Sequence, residues 1–498
     1  MSIASARTSS SSADLTGPAK LEEVTRLMDK LTTDLQQINL LPHRMQGPRS
    51  SEIQLTSTER DAHLEQVKVY GRDPTNADPI FTKEASQTLT RHAFNSPSQT
   101  TSRNALRCLA NAMLLQADTR QKFVDLEYMS KACAKLKVDN RDDEFLVSRI
   151  LFLTTYDTNI DIEKLVDQEK LADTICQNIS RHSKQGKAKK PIDPMQEMAL
   201  IESLKLMFNL THFCPQRSGA FSPALQPILS IISKRPISST APLEQPIAPL
   251  VNALINLEFE SKENIVILFP KGSPNSNVDR LIGTLEKSIK VYADEELEHL
   301  VSPLLTLLRK MYEVAPEETR EQMRKTLLPS TEDRQQPLGR TDSFSARLLR
   351  LSTNPATPQV RELISGLLFD MSDKDARSFV QNVGYGFASG FLFQHNVPIP
   401  ENALEAWSTS GSEASNTRAS QESKNLAGKI NPITGQFLDM EEPVEEEKMT
   451  EEEREREAER LFVLFERLKK TGVVDIKNPV ETAFHEGRFE ELPDDSEE

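Results

Sequence analysis

Glycines, histidines and cysteines are the residues of this chain whose spacing could bind a nucleotide or a metal, or supply a nucleophile. Gly384, Gly386 and Gly390 stand in the string G-Y-G-F-A-S-G, where the third glycine comes one residue too late for the dinucleotide-binding pattern G-x-G-x-x-G. No strand-like run precedes them, so we favour a packed bend between helices. The sequence has no P-loop, no H-E-x-x-H pair and no G-x-S-x-G elbow. We therefore expect neither catalytic residues nor a cofactor.

The four cysteines, Cys108, Cys133, Cys176 and Cys214, are far apart and form no C-x-x-C pair. Such spacing is typical of reduced thiols in a cytosolic protein rather than of a disulfide framework. His212 lies close to Cys214, but no second pair of ligands is near it, so we expect no metal site.

Arginines remain as candidates for binding a partner. Six of them lie on segments with helical periodicity, and Arg103 and Arg107 are spaced to share one face of a helix. A cationic groove would suit a partner that bears carboxylates, such as the C-terminus of a chain; ordinary solvated positions are the alternative. The six are Arg91, Arg103, Arg107, Arg149, Arg347 and Arg350.

The elements that must position these residues are helices of one repeated type, each with apolar residues around a short polar step. Four such strings end at Asn111, Thr154, Asn209 and Asn256, which are 43, 55 and 47 residues apart. Weaker copies follow at 303–311 and 360–371. Armadillo and HEAT units are about 40–47 residues long, and insertions lengthen single repeats. Stacking such helices buries a continuous core, so the sequence predicts a solenoid.

The asparagines at the ends of these strings have two interpretations. Each amide can satisfy a backbone group at the end of its helix, or the asparagines can form a ladder on the inner face that binds the backbone of a partner peptide. Both can hold, because a stacked array repeats any feature at regular intervals. Asn111, Asn209 and Asn256 are therefore candidate partner-binding residues.

Composition excludes several classes of protein. The chain has 498 residues and a net charge of −15, and so acidic a chain is a poor general binder of nucleic acid. Its 17 glycines against 29 prolines suit helices joined by proline-containing loops. No stretch approaches the ~18 uninterrupted apolar residues of a membrane span, and the N-terminus lacks the apolar core of a signal peptide. We expect a cytoplasmic protein that does not insert into the membrane.

The predicted fold class is all-α: an armadillo/HEAT-like helical repeat solenoid with a flexible linker and one C-terminal docking helix. The linker and the final tail show no periodicity, and the basic insert at 181–190 is best interpreted as a solvated loop. The regions are a disordered N-terminus (1–18), the solenoid (19–395), a flexible linker with an acidic stretch (396–448), an amphipathic helix (449–472) and an acidic tail (473–498).

The amphipathic helix begins with the capping-box pair Thr450 and Glu453. Its apolar stripe includes Leu461, Phe462 and Phe465, which is too much apolar surface for a lone helix after a flexible linker. We expect it to dock, either on the end of the solenoid or on a partner protein.

Seven strings together resemble one family in their order and spacing, namely E-S-L-K-L-M-F-N-L-T (202–211), T-L-L-P-S (326–330), A-R-L-L-R-L-S-T (346–353), V-R-E-L-I-S-G-L-L-F-D (360–370), V-G-Y-G-F-A-S-G-F (383–391), I-N-P-I-T-G-Q (430–436) and M-T-E-E-E-R-E-R-E-A-E-R-L-F-V-L-F-E-R-L (449–468). The family is synembryn, or resistance to inhibitors of cholinesterase. The resemblance covers roughly residues 21–468, and the Ser-rich ends are similar to those of a fungal member.

The resemblance implies a cytosolic guanine nucleotide exchange factor and folding chaperone for heterotrimeric G-protein α subunits. It implies a monomer that binds the GDP-bound or nucleotide-free α subunit without βγ and follows that partner to the cell cortex. It also implies that the concave face holds the C-terminal helix of the α subunit. Exchange of this kind needs no catalytic side chain, since it is a population shift.

Family positions carry over to this sequence residue by residue. The resemblance implies groove positions at Arg91, Asn111, Arg347 and Arg350, and a repeat-ladder position at Asn209. The helix from Thr450 matches the family's C-terminal contact helix. Animal members carry a dense acidic Ser/Thr kinase cluster before N-P-x-T-G, and here only Ser410 with Glu413 forms a minimal site for possible phosphorylation. The alternative function is a non-catalytic armadillo-type adaptor that binds a peptide or helix of another partner.

Overall fold

The computed structural model describes residues 15–37, 55–184, 193–398, 430–431 and 433–441, and the single positions 456 and 460. In these residues the regular elements are helices, and the one β-type contact is an isolated antiparallel bridge between Ile430 and Phe437. None of the described helices is both long enough and apolar enough to cross a membrane. The chain divides into two compact units, Met1–Leu438 and Asp439–Glu498.

The first unit contains 21 α-helices among its described residues. In chain order they are α1 (Gly17–Gln37), α2 (Ser57–Tyr70), α3 (Lys83–Asn95), α4 (Gln99–Leu115), α5 (Asp118–Val124), α6 (Met129–Leu136), α7 (Arg141–Thr154), α8 (Ile162–Asp167), α9 (Leu171–Lys184), α10 (Pro194–Phe213), α11 (Leu225–Lys234), α12 (Ile247–Ile255), α13 (Lys262–Leu268), α14 (Ser276–Val291), α15 (Asp294–Leu300), α16 (Ser302–Val314), α17 (Glu317–Leu327), α18 (Phe344–Leu351), α19 (Pro358–Met371), α20 (Ala376–Val383) and α21 (Tyr385–Gln394). Short 3₁₀ helices cover Asp78–Phe81, Pro215–Ala224, Asp333–Gln335 and, at the boundary between the units, Leu438–Met440.

Local sequence sets where these helices begin. Thr56 and Glu59 form a reciprocal capping box at the start of α2, so two otherwise unpaired backbone groups are satisfied. Asn140 caps α7, and Asp193 caps α10 just before Pro194. Gly384 lies between α20 and α21 with φ +80°, so the predicted glycine bend is found there, whereas Gly386 and Gly390 fall inside α21.

Seven of the helices form one continuous row, in which each packs against the next: α2, α4, α7, α10, α12, α16 and α19. The four repeated strings of the sequence fall on consecutive members of this row, and the two weaker copies fall on α16 and α19. Helices α3, α6, α9, α11, α14 and α18 each pack against one row helix. The prediction of an all-α helical repeat solenoid is therefore confirmed.

A single connected hydrophobic core runs along the stack. Leu109 of α4, Ile150 of α7 and Met207 of α10 are fully buried in it. Removing one such side chain from water contributes about 1.5–3 kcal/mol, which explains why helices with so few polar positions stack rather than separate.

Candidate functional site

Six of the row helices, from α4 to α19, carry partly or fully exposed side chains at or near one face, and these side chains form the surface that we call the row surface. On α7 the stripe is Phe145, Arg149, Phe152 and Tyr156, at the three- and four-residue spacing that keeps side chains on one helical face. The row surface as defined here comprises Arg103, Arg107, Asn111 and Leu114 of α4, the four residues of α7, Lys205, Phe208, His212 and Phe213 of α10, Asn256 after α12, Arg309 and Lys310 of α16, and Phe369 of α19.

Arg103 and Arg107 are neutralised by carboxylates of the next row helix. The Arg103 Nε donates to Asp143 Oδ1 at 3.0 Å, and the Arg107 guanidinium lies 3.5 Å from Asp142. Lys135 of α6 also approaches Asp143, at 3.5 Å. This cluster joins α4, α6 and α7, so both arginines contribute to the packing of the stack as well as to its surface.

Arg149 has a different environment. Its guanidinium lies 5.5 Å from the centre of the Phe145 ring, and no ion pair in the described part of the chain involves it. A cation over an aromatic face keeps its charge available to an incoming carboxylate. Arg149 is therefore the row-surface arginine best placed to bind an anionic group.

Aromatic rings line the ends of α7 and α10. Phe152 and Tyr156 meet edge to face at 5.3 Å, and Tyr156 meets Phe213 at 6.2 Å. His212 stacks on Phe208 at 5.9 Å and touches Phe213 at 5.1 Å. Phe213 is 47% exposed and Tyr156 36% exposed. Contiguous exposed aromatic surface of this kind is typical of a site that binds another protein.

The repeat asparagines bond to the preceding repeat. Asn209 is 3% exposed, and its Nδ2 donates to Thr155 Oγ1 at 2.7 Å. The Asn256 Nδ2 donates to the Phe208 carbonyl and to Thr211 Oγ1, both at 3.3 Å. Both amides thus join the end of one row helix to the end of the row helix before it. Asn111 is partly exposed, and no hydrogen bond of its side chain occurs among the described residues.

Lys310 continues this pattern one repeat later. Its Nζ donates to the Ile255 carbonyl at 3.0 Å and to that of Leu257, and it lies 4.8 Å from the Phe259 ring. Burial lowers the pKa of Lys310, although nearby glutamates oppose the shift. The lysine therefore caps α12 from α16.

The row surface ends at an open cavity of about 250 Å³ between α16, α19 and α21. Arg309 donates to the buried Asp370 carboxylate at 2.5 Å. His395 bonds Glu362 at 2.6 Å and lies 4.2 Å from the Phe391 ring. A side chain at Gly366 would begin 2.8 Å from the Arg309 guanidinium, so the glycine makes room for this arginine. The cavity combines an aromatic wall with paired charges.

The other three predicted arginines lie on helices outside the row. Arg91 is half-buried on α3, and no ion pair in the described ranges involves it. Arg347 of α18 donates to Asp342 Oδ2 at 2.7 Å, and Arg350 donates to the carbonyls of Gly339 and Thr341 at 2.5 and 2.8 Å. These two arginines therefore organise the loop before α18.

Four predicted site residues cannot be placed. Ser410, Leu461, Phe462 and Phe465 lie outside the described residues.

Among the described residues no group of three or more His, Cys, Asp and Glu side chains could hold a metal. Burial raises the pKa of Cys108, Cys133 and Cys176 to about 12, so these thiols are not ionised at neutral pH.

Sequence reasoning missed the aromatic part of the row surface. The signal was present, since Phe145, Phe152 and Tyr156 share the helical face of Arg149. From the sequence alone these rings would be assigned to the core, because aromatic stripes are usually buried. Only the position of the neighbouring helix shows that these rings reach solvent.

Several known proteins are similar to this chain in sequence. A synembryn-like chaperone of Schizosaccharomyces pombe is 29% identical over 304 residues, which cover 58% of this chain and 55% of that protein. Chaperone Ric-8A of Danio rerio is 26% identical over 86% of this chain and 85% of its own length, and that of Gallus gallus 25% over 82% and 81%. Among solved structures, an engineered protein superposes on 81% of this chain and 97% of its own with a TM-score of 0.40 and 12% identity.

The comparison that decides the family spans most of the chain. Residues 63–488 match the Ric8 family, described as guanine nucleotide exchange factor synembryn. That range contains the whole row surface and reaches beyond the solenoid into the second unit. The chain therefore belongs to the Ric8, or synembryn, family.

Proposed function

We propose that this protein is a guanine nucleotide exchange factor and folding chaperone for heterotrimeric G-protein α subunits. The observation that carries the proposal is the match to the synembryn family across residues 63–488. The similar proteins of Danio rerio and Gallus gallus are themselves named chaperones. The row surface is the binding site, and its ligand is the C-terminal helix of the α subunit.

The chemistry of the row surface suits the end of a helix. The last turn of a helix carries partial negative charge, and a chain terminus adds a carboxylate. Arg149 offers a cation that has no carboxylate partner among the described residues, and α10 adds Lys205, whose Nζ donates to Glu202 at 3.1 Å. The rings of Phe152, Tyr156 and Phe213 lie nearby and can take the apolar side chains of the same helix.

Exchange then follows from differential affinity and needs no catalytic side chain. A protein that binds the nucleotide-free α subunit more tightly than the GDP-bound form shifts the population towards release of GDP. Binding of GTP reverses the preference and ejects the solenoid. The partner is the α subunit without βγ, and one copy of the chain acts alone.

Chaperoning uses the same contacts. An α subunit without nucleotide is unstable, and a protein that binds this conformer protects it by mass action. In this scheme the predicted amphipathic helix at 449–472 contacts the GTPase domain. The G-protein partner recruits the chain to the cell cortex.

The experiment is a GDP-release assay with purified α subunits, paired with rescue of α-subunit folding during synthesis in a cell-free extract. We expect faster GDP release, higher yield of folded α subunit, and loss of the complex when a GTP analogue is added. No acceleration with any α subunit, together with no rescue of folding, would reject the proposal. Binding that is indifferent to nucleotide would instead identify an armadillo-type adaptor.

A further inference from the structure

Residues 430–431 and 433–437 form a closed turn, which we call the C-terminal turn. The Asn431 amide donates to the Gln436 carbonyl at 2.7 Å, and the Gly435 amide donates to the Asn431 carbonyl at 2.8 Å. The Asn431 side-chain oxygen accepts from the amide of Ile433 at 2.8 Å. The turn therefore holds its own shape through local bonds.

The C-terminal turn is docked on the last helices of the first unit and the loop before α18. The Leu338 amide donates to the Thr434 carbonyl at 3.0 Å, and the Phe437 amide donates to the Arg334 carbonyl at 2.9 Å. The Gln436 Nε2 donates to the Gln335 carbonyl at 3.1 Å. These contacts join positions about one hundred residues apart in the chain, so they are tertiary contacts rather than part of a local turn.

Arg334 is the central side chain of this dock. It is 7% exposed, and its two terminal nitrogens donate to the carbonyls of Gly435 at 2.9 Å and Asn382 at 2.8 Å. The neighbouring Asp333 carboxylate is bonded to the hydroxyls of Ser330 and Ser345. Removing the turn would leave a buried guanidinium nitrogen without its acceptor, which is costly.

The contact also depends on glycine at position 435. Gly435 has φ +70°, in the left-handed region that disfavours residues with a side chain. A Cβ there would lie 2.3 Å from Leu338 Cδ1 and 2.8 Å from its Cγ. A larger residue would therefore require either the Leu338 side chain or the turn to move, in addition to the strained backbone.

The dock is linked to a predicted arginine. Leu338, which binds the turn, is followed directly by Gly339, whose carbonyl accepts from Arg350. Docking of the turn therefore helps to fix the loop that orients Arg350.

We propose that the C-terminal turn is an intramolecular ligand of the helical part of the first unit, residues 15–398. Arg334–Leu338 and the corner from Asn382 to Gly386 form its binding site, which accepts a tight turn with asparagine at its start and glycine in the left-handed conformation. Non-covalent contacts alone hold the turn there, in the same copy of the chain, and they anchor the polypeptide where it leaves the helical unit. The contacts that support this dock do not rest on the proposed function.

The test asks whether the C-terminal turn stays bound to the helices after the covalent connection between them is cut. A protease site is inserted into the stretch 401–428 of the full chain, the purified protein is cleaved, and the two fragments are followed by gel filtration and light scattering. We expect the cleaved chain to elute as a one-to-one complex of both fragments. A free peptide of residues 428–440 should displace the C-terminal fragment in a concentration-dependent way.

Two glycine variants test whether the turn itself holds the fragment. Gly435→Ala should weaken retention of the fragment at least about tenfold, from the left-handed backbone and the clash with Leu338. Gly390→Ala is the matched control, since a Cβ there meets nothing within 4 Å, and it should retain the fragment as the parent does. Three outcomes would each overturn the proposal. The fragments of the parent could separate on cleavage, both variants could retain the fragment equally, or the cleaved species could elute as a two-copy assembly.

Discussion

Arg149 differs from the other arginines of the row surface in the contacts that its side chain makes. The other arginines of the row surface neutralise carboxylates of the stack, as Arg103 does with Asp143 and Arg309 with Asp370. Arg149 instead lies over the Phe145 ring. A change of charge at Arg149 should therefore alter binding with little effect on folding.

We predict that Arg149→Glu weakens binding of a C-terminal α-subunit peptide by about tenfold or more, since it replaces an attraction for a carboxylate by a repulsion. Fluorescence anisotropy with a labelled peptide measures the loss, and thermal unfolding should give an unchanged midpoint. The control is Lys290→Glu on α14, an exposed lysine paired only with Glu286 of its own helix. Unimpaired peptide binding by Arg149→Glu would remove this arginine from the site.

His92 gives a prediction about acid stability. It is fully buried, its Nε2 bonds the Leu31 carbonyl at 3.1 Å, and its Nδ1 has no hydrogen-bond partner among the described residues. Burial lowers the pKa of His92, and this outweighs the Leu31 carbonyl and Asp34, which act in the opposite direction. The unfolded chain therefore binds this proton more readily than the folded chain, and stability is lost as the pH falls below about 6.5.

We expect His92→Gln to reduce this loss, because glutamine can still donate to Leu31 but does not titrate. Urea unfolding at pH 7.5 and pH 5.5 measures the free energy of unfolding of both proteins. The parent should lose more stability than the variant between the two values. An equal loss in both would show that other groups set the acid response.

At the scale of the elements, polar side chains join each row helix to the one before it. Asn209 reaches Thr155, Asn256 reaches Phe208 and Thr211, and Lys310 reaches the end of α12. The sequence predicted both a capping role and a partner-binding ladder for the asparagines. The structure adds that the bonds cross from repeat to repeat.

We predict that Asn209→Ala lowers the free energy of unfolding by about 0.5–1.5 kcal/mol, because it removes the hydrogen bond to Thr155, whose hydroxyl keeps only its bond to the Phe152 carbonyl. Asn256→Ala should cost less, since its bonds are longer and partly exposed. Asn111→Ala is the control, with no loss of stability expected, and any effect it has on peptide binding would report a direct contact with the partner. Chemical unfolding of the three variants tests the order, and an equal cost at all three positions would contradict it.

The sequence predicted the repeating helices well because apolar periodicity is a local signal. It could not show which polar groups face solvent, because the carboxylates that neutralise Arg103 and Arg107 come from a helix about forty residues away. For the same reason the sequence could not predict that the C-terminal turn docks on the helices. Its residues lie inside the span predicted as a flexible linker, 396–448, and the structure differs there because Arg334 binds the turn from a hundred residues upstream.

For the molecule as a whole, the distribution of charge matters more than its sum. The chain carries a net charge of −15, yet the row surface presents Arg149 beside the Phe145 ring. An acidic protein with a cationic site repels acidic surfaces in general while it attracts a carboxylate at one place. Peptide binding at that site should therefore weaken as salt is added.

Binding and exchange should be separable along the chain. We predict that a chain ending before Met449 still binds the C-terminal α-subunit peptide, because the row surface lies entirely within residues 103–369. The same truncation should slow GDP release about tenfold, which corresponds to an increase of about 1.4 kcal/mol in the barrier to release.

Peptide anisotropy and GDP release measured on one preparation give both quantities for the truncated chain. A chain ending at residue 472, which loses only the acidic tail, is the matched control and should keep both activities. Full exchange without residues 449–498 would show that the row surface alone shifts the α subunit towards its empty form. Loss of peptide binding on truncation would instead show that the helical unit needs its C-terminal region to form the site.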